Sequence, residues 1–98
     1  MRFMQIMEMR TSRLDEVQAV LDEWRTTTAG RRTAQRSITG RDRQGDDVYV
    51  AVVEFPSYEA AMTNSELPEP RQLAEKLAKL CDAPPTFRNL DIIRQEDL

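Results

Sequence analysis

The chain has 98 residues but no histidine and only one cysteine, Cys81. Imidazole is the usual general base near neutral pH, so its absence removes Ser/His and Cys/His nucleophilic systems together with imidazole and multi-thiolate metal sites. A single thiol cannot close an intramolecular disulfide. Beside Leu77 and Leu80, Cys81 reads as a buried structural thiol rather than a reactive one. Three glycines, Gly30, Gly40 and Gly45, fit neither the dinucleotide-binding nor the P-loop spacing, so no tightly held nucleotide is expected. No apolar run approaches the roughly 20 residues of a membrane-crossing helix. The opening Met1-Arg2-Phe3-Met4-Gln5-Ile6 lacks the unbroken apolar stretch of a secretory leader. The expectation is a cytoplasmic protein with no cofactor, no metal and no membrane partner.

Positive charge is also in short supply: 14 Lys plus Arg stand against 17 Asp plus Glu, for a formal charge of -3. Nothing draws such a chain to phosphate backbones, and nucleic acid is not an expected partner. The basic residues are mostly arginine, and Arg31, Arg32, Arg36, Arg41 and Arg43 gather around one segment. They read as the charges of a solvated edge strand or as an anion-binding stripe.

What the chain does contain is a regular alternation of patterns. Residues 3–10 alternate, with Phe3, Gln5, Met7 and Met9 on one face and Met4, Ile6, Glu8 and Arg10 on the other. Leu14, Val17, Leu21 and Trp24 then recur at helical steps. Ser12 is the expected cap, the three threonines Thr26 to Thr28 are expected to fray the helix, and Gly30 to stop it. A polar second strand over 31–43, with a bulge expected at Gly40, turns at Gln44-Gly45-Asp46-Asp47. The following run, Val48-Tyr49-Val50-Ala51-Val52-Val53-Glu54-Phe55, is apolar on both faces and predicts a central strand. Pro56 ends it, Ser57 caps a short helix from Tyr58 to about Asn64, and a longer helix is predicted after Pro70, carrying Leu73, Leu77 and Leu80. Pro84-Pro85 stops that helix before a last strand from Thr86 to about Gln95.

The order is βαββαβ, which predicts a single α+β domain over residues 1–98, ferredoxin-like, with helices on one face of a four-stranded antiparallel sheet. Helices cover only one sheet face, yet three strands carry apolar side chains on both, so the second face needs a cover. A second copy related by a two-fold axis supplies it most simply, giving a dimeric α+β barrel.

In this order of elements the chain resembles the dimeric α+β barrel superfamily and its antibiotic biosynthesis monooxygenase-like branch. The most recognisable piece is Val48 to Phe55 followed by Ser57-Tyr58-Glu59-Ala60-Ala61-Met62. The resemblance implies a homodimer and a cavity between helices and sheet that binds a hydrophobic or aromatic small molecule. It further implies either cofactor-independent oxygenation of aromatic or polyketide-like substrates or a non-catalytic ligand-binding or interaction role. Haem-using members rely on a histidine or comparable ligand; this chain has no histidine, so ligation would fall to Tyr, Cys or Met, and haem degradation is not expected. The cofactor-free oxygenases place Asn, Trp and Tyr about their cavity, types offered here by Trp24, Tyr49, Tyr58, Asn64 and Asn89 at a different spacing.

Five residues are the candidate site. Tyr58, at the start of the short helix, is the expected proton donor. Glu54 is a candidate base, because Glu8 and Glu54 are expected at the carboxyl ends of adjacent parallel central strands, where mutual repulsion would favour proton uptake. The alternative for both is an ion pair with Arg10, Arg36 or Arg88. Gln5, Trp24 and Asn64 are the expected substrate-binding residues, with core packing the ordinary role of Trp24 and helix termination that of Asn64. Gln5 stands out because a buried amide without partners costs about 1–3 kcal/mol.

Overall fold

The computed structural model describes residues 1–98. Its elements are β1 (Phe3–Arg10), α1 (Leu14–Thr27), β2 (Arg36–Arg41), β3 (Val48–Phe55), α2 (Tyr58–Ser65), α3 (Pro68–Leu80) and β4 (Thr86–Asp91). The strands form one antiparallel sheet in the order β2-β3-β1-β4, so the two most apolar strands are central and the arginine-bearing β2 is an edge. This is the ferredoxin-like α+β arrangement expected from the pattern.

Alternation along the strands decides which side the helices take. Met9, Tyr49 and Ala51 point to one face and pack with Val17 of α1 and Leu77 of α3. At the other end of that face, Phe3 and Phe55 pack with Ala61 of α2. Between the two clusters runs a row in register, Ser37, Val53, Gln5 and Asn89, three of them polar. The opposite face bears Met4, Ile6, Ile38, Val50, Val52 and Leu90 and is covered by no helix.

Local chemistry explains where boundaries depart from expectation. Arg13, not Ser12, precedes α1 and offers no side-chain cap. The organising residue is Thr11, fully buried, whose hydroxyl accepts from the Arg13 N–H at 3.0 Å and donates to the Leu80 carbonyl at 2.8 Å. Helix α1 also holds through Thr27 instead of fraying. The hydroxyls of Thr26, Thr27 and Thr28 donate back to the carbonyls of Asp22 and Trp24, which ties the branched residues to the helix end. Gly30 then takes φ +80° as the helix closes.

Strand β2 is shorter than the polar segment containing it and passes through Gly40 in unbroken register with Val50, so no bulge forms there. Helix α3 begins at Pro68, before the expected start, because prolines in the first turn lack only N–H groups that a helix leaves unpaired anyway. Ser57 caps α2 as expected, accepting from the Ala60 N–H at 3.0 Å. Strand β4 ends at Asp91, four residues short of the expected limit, and Ile92 donates its N–H to the Arg2 carbonyl.

Candidate functional site

Besides a pocket of about 150 Å³ between α1 and α3, which Trp24 also lines, two larger openings hold expected site residues. The first is a groove of about 470 Å³ between α1 and the edge strand β2, with Leu21, Trp24 and Arg25 on the helix side and Ser37 and Thr39 on the strand side. Trp24 is held there by its place on the apolar stripe of α1. Arg32, just after the helix, lays its guanidinium over the indole, with its central carbon 5.7 Å from the ring centroid. That guanidinium is itself fixed, donating to the Arg25 carbonyl at 2.7 Å and to the Thr28 hydroxyl at 3.2 Å. The indole Nε1–H of Trp24 is buried and finds no acceptor in the chain.

The second opening, a cleft of about 570 Å³, lies at the β1 and β4 end beside the start of α2. Tyr58 stands over Phe3 edge-to-face, with ring centroids 5.5 Å apart, and remains 49% exposed. Asn89 and Asp91 complete the polar lining. Gln5 reaches this end indirectly: its Nε2 donates to the Asn89 Oδ1 at 3.2 Å, which satisfies part of the amide that looked isolated in the sequence.

The five expected site residues are therefore not gathered into one pocket. Tyr58 and, through Asn89, Gln5 belong to the cleft, and Trp24 belongs to the groove. Asn64, 7% exposed, spends its Oδ1 on the Thr33 backbone N–H at 3.1 Å and so anchors the segment leading into β2. Glu54 points to the uncovered sheet face, away from both openings, and is gripped by Arg36, with Nε to Oε2 at 2.6 Å and Nη2 to Oε1 at 3.2 Å. Arg2 adds a second cation at 3.7 Å.

The expected pairing of Glu8 with Glu54 fails for a topological reason. Strands β1 and β3 are antiparallel, with Glu8 opposite Val50 and Glu54 opposite Met4. The two carboxylates share a face but stand four residues apart along β1, about 13 Å at strand spacing, so neither presses on the other. The ion-pair alternative describes Glu54.

The arginines do not form a stripe either. Arg31 pairs with Glu69, Arg36 with Glu54, Arg32 covers Trp24, and Arg41 lies over Tyr49 at 5.5 Å. Hydrogen bonding from Arg31, joined by the Glu69 backbone N–H and the Arg31 charge, holds the Glu69 carboxyl below its ordinary pKa despite opposition from burial. Cys81 packs against the Met9 cluster, where burial, and then the charge of Asp82, push the thiol pKa up against the smaller influence of Arg13. It is not an activated nucleophile.

Sequence reading missed the placement of Arg32 over Trp24, tied down by the Arg25 carbonyl, and the position of Arg25 on the same groove. The only available signal was their position near the helix end, where a chain reversal can return a long side chain over the last turn. Asn89 was seen as a residue type, but its role opposite Gln5 depended on strand register.

No protein-family model and no curated protein matches the sequence. Solved structures do match the fold. The cofactor-independent oxygenase SnoaB from Streptomyces nogalater superposes with a TM-score of 0.79 at 15% identity, covering 96% of this chain and 95% of that one. A candidate antibiotic biosynthesis monooxygenase from Caulobacter crescentus gives 0.80 at 11% identity, covering 95% and 91%. A Mycobacterium tuberculosis protein gives 0.78 at 16% identity, over 99% of this chain and 100% of that one. The chain thus has the fold of the antibiotic biosynthesis monooxygenase-like proteins, at identities where fold alone is shared.

Proposed function

We propose that the protein is a homodimeric small-molecule enzyme of the cofactor-independent monooxygenase type, acting on an aromatic or polyketide-like substrate held in the groove between α1 and β2. The observation that carries this reading is Trp24: an aromatic wall lining a ligand-sized groove, in a fold shared with SnoaB. An electron-rich substrate supplies the electrons itself. In the overall change a ring CH₂ and O₂ give a ring carbonyl and water, so the protein's work is to orient the ring, exclude water and manage protons. Tyr58, which lines the separate cleft, is the competing proton-donor candidate that the comparison of variants discriminates.

Oxygen uptake with a panel of phenolic polycycles tests the proposal, comparing Trp24→Phe with Tyr58→Phe. A drop in turnover confined to Trp24→Phe assigns the chemistry to the groove, and a drop confined to Tyr58→Phe assigns it to the cleft. Absence of uptake with every compound refutes the enzymatic reading.

The second reading is a non-catalytic homodimer that binds a hydrophobic metabolite. It is favoured by the commitment of the polar candidates elsewhere: Asn64 to Thr33, Gln5 to Asn89 and Glu54 to Arg36. Saturable binding of a polycycle without oxygen consumption is its expected signature.

A further inference from the structure

We infer that the groove between α1 and β2 selects an anionic aromatic ligand, a planar ring bearing a carboxylate or phenolate, recognised by Arg25 and Arg32 beside the Trp24 ring. The inference deepens the proposed function and rests on its placement of the ligand in this groove. Charge is the first observation. The chain as a whole carries -3, yet three arginines and one carboxylate, Asp22, line this groove. Arg36 is already neutralised by Glu54, while Arg25 and Arg32 take part in no ion pair.

Geometry is the second observation. Arg32 is held at its backbone and hydroxyl partners through one terminal nitrogen, which leaves its Nε and its other terminal nitrogen as donors on a guanidinium placed over the indole ring. Two guanidinium groups without a carboxylate partner thus flank the groove, so a ligand oxygen carrying negative charge is held by charge-assisted hydrogen bonds that a neutral one forms only weakly. The flat indole and the methylene stems of the arginines suit a ring attached to that oxygen.

The test uses 1-hydroxy-2-naphthoate and its neutral methyl ester, two ligands with the same ring. Calorimetry measures affinity, and the one indole N–H resonance of this single-tryptophan chain reports whether the groove is occupied. The acid is expected to bind at least about tenfold more tightly than the ester and to shift the indole resonance, since a charge-assisted hydrogen bond contributes about 1.5–3 kcal/mol. In an Arg25→Gln, Arg32→Gln double variant the preference is expected to disappear, and the corresponding lysine pair is expected to recover part of it. Thermal unfolding confirms that the variants fold. Equal binding of acid and ester, a preference that survives the double glutamine variant, or an unmoved indole resonance overturns the inference. If the acid is selected as expected but no polycycle consumes oxygen, the enzymatic reading fails and the anion site stands.

Discussion

Placing a charge at the centre of the uncovered sheet face tests the proposed dimer most sharply. Val52 lies in register between Ile38 and Ile6, with Met4, Val50 and Leu90 in adjoining positions of the same face. With two strands of eight residues and two of six, the sheet presents about 440 Å² per copy at ordinary strand spacing. Two such faces bury about 900 Å², just under the roughly 1,000 Å² of a specific interface, so this dimer has little affinity to spare. Val52→Asp removes about 2 kcal/mol of apolar burial in each copy. Two-fold symmetry doubles the loss to about 4 kcal/mol, a Kd about a thousandfold weaker before the cost of desolvating two carboxylates is counted. Light scattering at tens of micromolar is expected to give twice the 11.3 kDa chain mass for the parent protein and the single mass for Val52→Asp, with unchanged circular dichroism. A monomeric parent, or a variant that keeps the doubled mass, refutes the reasoning.

Other changes probe the helix side. Leu77→Ala opens a cavity where α3 meets the Met9 cluster, at a residue only 1% exposed, and is expected to cost about 2–5 kcal/mol in urea unfolding. Thr11→Val keeps the shape but leaves the Leu80 carbonyl and the Arg13 N–H unpaired, an expected loss of about 1–3 kcal/mol with a lowered melting temperature. Glu69 has a folded pKa below its usual 4.5, so its contribution is fully present above about that pH and declines as pH falls through the folded value. Glu69→Gln is therefore expected to lower stability at neutral pH and to flatten the acid limb of the stability profile, measured by urea unfolding across pH 2–7.

The difference between β3 and Glu54 shows which parts of this molecule were legible in its sequence. Eight residues apolar on both faces announce a central strand, because the signal is local: each side chain alternates whatever the neighbouring strand does. The alternation also revealed that one sheet face has no helix to cover it. A site depends instead on register, direction and returning chain. Glu54 became an ion-pair partner once β1 and β3 were antiparallel, and Gln5 acquired Asn89 through a pairing across 84 residues of sequence.

Corrections at the helix ends have the same origin. Ser12 has the better capping side chain, but Thr11 is anchored to the end of α3, 69 residues away, and that tertiary bond sets where α1 begins. Trp24 carries the argument furthest. Its helical spacing marked it for the core, and half of that expectation holds, since its ring is packed beneath Arg32. The same ring lines a groove beside Arg25 and Arg32, neither of which has a carboxylate partner. The cation over its ring comes from Arg32, eight residues on and past the helix end, so it depends on the returning chain and not on the helical spacing that marked the tryptophan.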